Sequence, residues 1–128
     1  MFSFFICTER EVRVCESMIK QKGEFYMEAD FQVIDNYLMV KMPAEIDHHQ
    51  SGAISRKADS FLLRDSIQGI VFDFEDTKFM DSSGVGIIMG RYKKISCLGG
   101  RIFAIHADRQ IRRILYISGL SKIVEIME

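Results

Sequence analysis

Proline occurs once in the 128 residues and glycine nine times, too little of either for a disordered or linker-rich chain. No apolar run approaches the roughly 18 residues that a bilayer span requires. The apolar opening Met1-Phe2-Ser3-Phe4-Phe5-Ile6-Cys7 has no basic stretch before it and no small-residue cleavage site after it, so it does not read as a secretory leader. The cysteines are three, Cys7, Cys15 and Cys97. An odd count without C-x-x-C spacing supports neither a disulfide framework nor a zinc site, and a reducing cytoplasm is the compartment that fits. There is no excess of positive charge, the formal net being −1, which argues against nucleic acid as a partner. Nothing in the chain calls for a membrane either. Also missing are the phosphate loop G-x-x-x-x-G-K-[ST] and the nucleophile elbow G-x-S-x-G.

What is present is a chain long enough for one domain with one core, and its charge is divided. Residues 27–81 carry eleven acids against five bases, and residues 82–128 carry three acids against eight bases. From Phe31 the hydrophobic pattern is legible. Phe31 and Val33 alternate, Asp35-Asn36 is a turn, and Tyr37 to Met42 is apolar and β-prone, which predicts a hairpin. Pro43 to His49 reads as a loop. Ile54, Ala58, Phe61 and Leu62 recur at helical spacing over about 49–64. Gly69-Ile70-Val71-Phe72-Asp73-Phe74 reads as a strand buried on both faces. A second helix follows Asp81, with Val85, Ile88, Met89, Tyr92 and Ile95 on one stripe and Gly99-Gly100 at its end. Ile102 to Ile105 reads as a strand, Asp108 opens a third helix carrying Ile111, Ile114 and Leu115, and Ile123 to Ile126 closes the pattern as a short strand. Strands alternating with helices predict an α/β architecture.

The chemistry concentrates in Asp81-Ser82-Ser83-Gly84, where a loop after a buried strand runs into a helix. Asp81 or Ser82 is a suitable N-cap. A group here sits beside the positive helix end and its free N–H groups, so a phosphate on Ser82 is compatible with the fold. It would add a charge of about −1.5 to −2. An acidic partner group about 6 Å away would be repelled by roughly 2–3 kcal/mol per charge pair at an effective dielectric near 20. The plain alternative is that the two serines only cap a helix. Gly84, Gly86 and Gly90 each cost a helix interior roughly 1 kcal/mol and need a reason: close packing on the sheet, or close approach of a partner backbone. A dinucleotide site is a remote reading, because Asp81 would stand where a pyrophosphate must sit. Glu45-Ile46-Asp47-His48-His49 is the second polar cluster. Asp47 is a good cap for the helix that follows, and sequence neighbours such as His48 and His49 rarely address one metal ion. A serine hydrolase assembled from Ser82 or Ser83, a histidine and Asp47 is equally remote.

Phe79-Met80-Asp81-Ser82-Ser83-Gly84-Val85-Gly86, with Gly90-Arg91-Tyr92-Lys93 beyond it, resembles the signature of the anti-sigma factor antagonists, the bacterial single-domain STAS proteins. Glu45-Ile46-Asp47-His48-His49 is similar to the loop before the first helix in the sporulation type. Ser118-Gly119-Leu120 with Lys122-Ile123 is similar to the family's C-terminal end. The resemblance covers about 28–127. It implies a mixed sheet of four or five strands with helices packed against it. It also implies a cytoplasmic binder, not an enzyme and needing no cofactor, whose partner is an anti-sigma factor that is itself a serine kinase. Phosphorylation of the first serine after the aspartate, Ser82, ends the binding, and a serine phosphatase restores it. Asp47, His48, His49, Asp81, Ser83 and Gly84 fall at positions expected near the partner. Ala44 stands where the family usually carries glycine. A STAS module serving a stress or sensor pathway is the alternative within the family.

Residues 1–26 lie outside the resemblance and show no clean period. Lys22-Gly23-Glu24 is commonly encoded by a purine-rich stretch resembling a bacterial ribosome-binding site, at a suitable distance before Met27. The domain is expected to occupy 27–128, with residues 1–26 an N-terminal extension that is either a genuine helix or a stretch before a true start at Met27. The N-terminal mass of the native protein checks this; a mass that includes Met1 rules out the start at Met27.

Overall fold

The computed structural model describes residues 29–127; the extension expected over 1–26 lies outside them. β1 (Asp30–Ile34) and β2 (Tyr37–Lys41) form the expected hairpin. Its two turn residues, Asp35 and Asn36, both take positive φ, 56° and 69°. A two-residue turn needs that conformation to match the strand twist, and short polar side chains tolerate it. A short strand β3 (Glu45–Ile46) leads into α1 (His48–Arg64), and β4 (Gly69–Asp73) follows. A second short strand, β5 (Phe79–Met80), leads into α2 (Ser82–Ser96). β6 (Arg101–Ile105), α3 (Arg109–Ile117) and β7 (Glu125–Ile126) complete the chain.

Five strands form one mixed sheet in the order β1-β2-β4-β6-β7, with β1 antiparallel to β2 and every other pair parallel. β4 is central and all five of its residues are buried, which explains its continuous apolar run. In register across the middle of the sheet stand Leu38, Ile70 and Ile102. Together with Val40, Phe72 and Ala104 they pack against Ile54 and Ala58 of α1, Ile87, Ile88 and Ile95 of α2, and Ile111 and Leu115 of α3. The opposite sheet face carries a separate apolar cluster of Tyr37, Met39, Val71, Phe103 and Ile105.

Two expectations change. The buried side of α2 is rotated from the stripe read in the sequence: Ile87 and Arg91 are buried, whereas Val85, Met89 and Tyr92 are half-buried. Arg91 is buried because Asp59 of α1 meets it, with Nε 3.0 Å from Oδ1, while Lys94 reaches the other oxygen at 2.7 Å. The final strand is shorter than expected, because Gly119, at φ +85°, releases the chain into a 3-10 turn over Leu120–Lys122.

Phe72 sits fully buried on the central strand beneath the helices. Phe72→Ala is expected to lower stability by about 3–5 kcal/mol, read as a fall in the urea midpoint at unchanged slope.

Candidate functional site

β3 and β5 are only two residues long, yet they pair in parallel, Glu45 opposite Phe79 and Ile46 opposite Met80. Further hydrogen bonds lengthen the ribbon. The Lys78 and Phe79 amides donate to the Ala44 carbonyl at 2.8 and 3.2 Å, and the Asp81 amide donates to that of Ile46 at 3.1 Å. The buried Thr77 hydroxyl donates to the Pro43 carbonyl at 2.9 Å. Ala44 is exposed and has no positive φ, so its methyl group is accommodated where the family usually has glycine. Each strand runs through an aspartate into a helix. Asp47 caps α1, its Oδ1 accepting from the His49 amide at 3.1 Å and the Gln50 amide at 3.3 Å. Asp81 caps α2, accepting from the Ser83 amide at 2.8 Å. The ribbon's register therefore sets two capped helix N-termini side by side, and both carry positive partial charge.

The two serines differ in a way the sequence did not show. The half-buried Ser83 donates its hydroxyl to Asp81 Oδ1 at 2.5 Å. Ser82 is exposed, and among the described residues its hydroxyl makes no hydrogen bond. Asp81 is held below the usual carboxylate value of 3.8, chiefly by that hydroxyl of Ser83, then by the Ser83 and Gly84 amides and the nearby charge of His48. It is thus an anion at neutral pH beside the free hydroxyl. His48 and His49 are exposed with their rings 4.1 Å apart. Asp47 spends its carboxylate on backbone amides, not on an imidazole, so the Ser/His/Asp arrangement weighed from the sequence is not assembled.

Gly84, expected near the partner, is buried. A Cβ there would lie 2.2 Å from Met80 Cγ and 3.1 Å from Ile46 Cγ2, so its bare backbone seats the first turn of α2 on the ribbon. Gly86 and Gly90 are the reverse case: a Cβ at either meets nothing within 4 Å, and close packing on the sheet does not account for them. Sequence reasoning also passed over Phe79, which is 47% exposed at the mouth of the ribbon. Its signal was available, since Met80 fills the core and alternation turns Phe79 outward.

Away from this edge, Asp73, Glu75 and His106 are grouped closely enough to hold a cation among the described residues. Lys41 already brings a positive charge, 2.9 Å from Glu75 and 3.9 Å from Asp73. Burial alone would lower the Lys41 pKa, but the hydrogen bond to Glu75 and the charges of Asp73, Glu75 and Asp76 hold it above 10.5.

A family model, the STAS domain, matches residues 28–128. The chain belongs to the STAS domain family. This STAS domain is 37% identical over 91 residues to the anti-sigma F factor antagonist of Paenibacillus polymyxa, covering 71% of the chain and 78% of the relative. Its fold matches that of the anti-sigma factor antagonist SpoIIAA in the unphosphorylated form, with TM-score 0.71 and 25% identity, over 78% of this chain and 88% of the other. The phosphorylated form of the Bacillus cell fate determinant SpoIIAA gives TM-score 0.65 at 26% identity, over 78% and 91%. The family resemblance drawn from the Asp-Ser-Ser-Gly and Asp-His-His runs is the one these matches show, as is the mixed five-stranded sheet.

Two outcomes follow. Gly84→Ala is expected to lower stability by about 1–3 kcal/mol through overpacking, whereas Gly86→Ala, facing open space, is expected to be neutral or stabilising, both read by urea unfolding. Asp81, with its folded pKa depressed, contributes stability that is present above the ordinary carboxylate range and lost as pH falls through the lowered value. The advantage of wild type over Asp81→Asn is therefore expected to shrink as pH falls below 3.8, which a pH series of urea midpoints measures.

Proposed function

We propose that this STAS domain is an anti-sigma factor antagonist that binds its partner through the edge where the ribbon meets α1 and α2. The partner is an anti-sigma factor with serine kinase activity; binding frees the sigma factor, and phosphorylation of Ser82 ends the binding. A serine phosphatase resets the domain. The work is done in the cytoplasm by binding and needs no cofactor. No helix among the described residues is long and apolar enough to cross a membrane. The observation that carries the reading is the contrast between the two serines: Ser82 offers a free, exposed hydroxyl, whereas Ser83 is committed to Asp81. Support comes from relatives named for antagonism of an anti-sigma F factor and from the likeness to a protein solved in both phosphorylated and unphosphorylated forms.

In this reading each residue has a part. Asp47 and Asp81 fix the helix ends, Ser83 holds Asp81, and Gly84 lets α2 settle on Met80 and Ile46. His48, His49 and Phe79 are the side chains left to meet a partner. A phosphate on Ser82 would lie at the positive end of α2, so its cost falls on the bound partner more than on the fold.

With the kinase and ATP, phosphate is expected on Ser82 by mass spectrometry and is expected to vanish in Ser82→Ala but not in Ser83→Ala. Ser82→Asp is expected to weaken binding to the anti-sigma factor about a hundredfold, the equivalent of roughly 2–3 kcal/mol, by calorimetry. Binding of Ser82→Asp as tight as wild type would overturn the mechanism.

A further inference from the structure

α3 is capped by Asp108, whose Oδ1 accepts from the Ile111 amide at 2.9 Å. Its inner side, Ile111 and Leu115, is fully buried in the main core. Its outer side carries Arg109, Arg113, Tyr116 and Ile117, all exposed. These positions follow one another at i, i+4, i+7 and i+8, so they line a single face about 12 Å long at about 1.5 Å per residue. Tyr116 and Ile117 are 61% and 75% exposed. The face begins with two cations and ends in apolar surface.

The charges on this face are set against the helix that carries them. Arg109 is the first residue of α3, and no acid occupies the first turn. The positive end of the helix dipole disfavours a cation there. Arg113 stands one turn on, where like charges repel. Neither arginine is ion-paired among the described residues. Asp108 is the sole acid from 101 to 124, against five lysines and arginines, and it is already engaged as the cap. Residues that oppose the stability of their own helix, and fill no core, have a use outside it. Their placement gives one. All three helices start beyond the C-terminal ends of the parallel strands β2, β4 and β6. α3 also lies against β5, the strand that carries the exposed Phe79 and runs into Ser82.

We propose that the outer face of α3 extends the binding edge and takes an acidic segment of the anti-sigma factor. Carboxylates of that segment meet Arg109 and Arg113, and an apolar side chain meets Tyr116 and Ile117. This surface serves the partner of the proposed function, on which the inference rests, and adds that partner's charge. A partner acidic enough to be repelled by a phosphate on Ser82 is one that these arginines attract. A nucleic acid fits less well, because its phosphates would also meet Asp47 and Asp81 at the same end of the sheet.

Binding of the purified anti-sigma factor to the unphosphorylated full chain is measured by calorimetry, and each variant is also unfolded in urea. Arg109→Glu with Arg113→Glu is expected to weaken binding about tenfold, the scale of two exposed ion pairs removed and reversed. Its urea midpoint is expected to rise, because the new carboxylates suit the helix start. Arg109→Lys with Arg113→Lys keeps the charge and is expected to bind within about twofold of wild type. Binding and stability that move in opposite directions separate partner contact from a structural role. Wild-type affinity in the double glutamate variant, with Ser82→Asp still weak, overturns the acidic contact and leaves the switch standing. No binding by wild type overturns both. A urea midpoint that falls assigns the arginines to the fold and overturns the proposal. Binding of a duplex DNA oligonucleotide that the double glutamate variant loses assigns them to nucleic acid and overturns it as well.

Discussion

The pairing of β3 with β5 is the constraint on which the site depends. Two residues of ladder on each side are far too little to persist alone. The ribbon is held by what surrounds it: Ile46 and Met80 are buried in the main core, Thr77 ties its loop to Pro43, and Gly84 admits α2 against both apolar side chains. In return it fixes where two helices begin. The amide of Asp81 bonded to the carbonyl of Ile46 makes the entry to α2 a continuation of the entry to α1. A one-residue slip there would turn Met80 outward and bring Phe79 into the core, and Ser82 would no longer lead the helix.

Charge is distributed by the same arrangement. Two helix ends face the same edge, and each is partly neutralised by an aspartate whose Oδ1 accepts from the helix amides. The second serine is drawn into that neutralisation and withdrawn from chemistry. The first is left as the hydroxyl free to gain a group, on a helix end that favours an anion. Under the proposed function, a phosphate on Ser82 would therefore not compete with folding.

Much of the fold was legible because its periods are clean. The Tyr37 to Lys41 strand, the buried run from Gly69, and Ile54 with Ala58 on α1 all stand where the pattern puts them. Elements two residues long carry no period, so β3 and β5 were invisible, and with them the reason the Asp47 and Asp81 runs lie together. The misjudged stripe on α2 has an equally local cause: Arg91 is polar in sequence but buried in fact, because its partner Asp59 lies 32 positions earlier on another helix. The closeness of Gly84 to Met80 and Ile46 depends on the ribbon and is not visible in residue order. The difference between Ser82 and Ser83 rests on exposure and on one hydroxyl hydrogen bond, neither of which residue order encodes.

The Asp59 bridge to Arg91 and Lys94 has a bearing on timing. It joins α1 to α2 through a buried guanidinium, and removing one partner of such a pair is strongly destabilising. The bridge thereby ties together the two helices whose N-termini meet at the ribbon. Under the proposed function, a phosphate on Ser82 would place its charge at that edge, where a partner would sense it before docking as well as after. Its effect would then be divided between slower encounter and faster escape, and the encounter share would fade as added salt shortens the reach of the field.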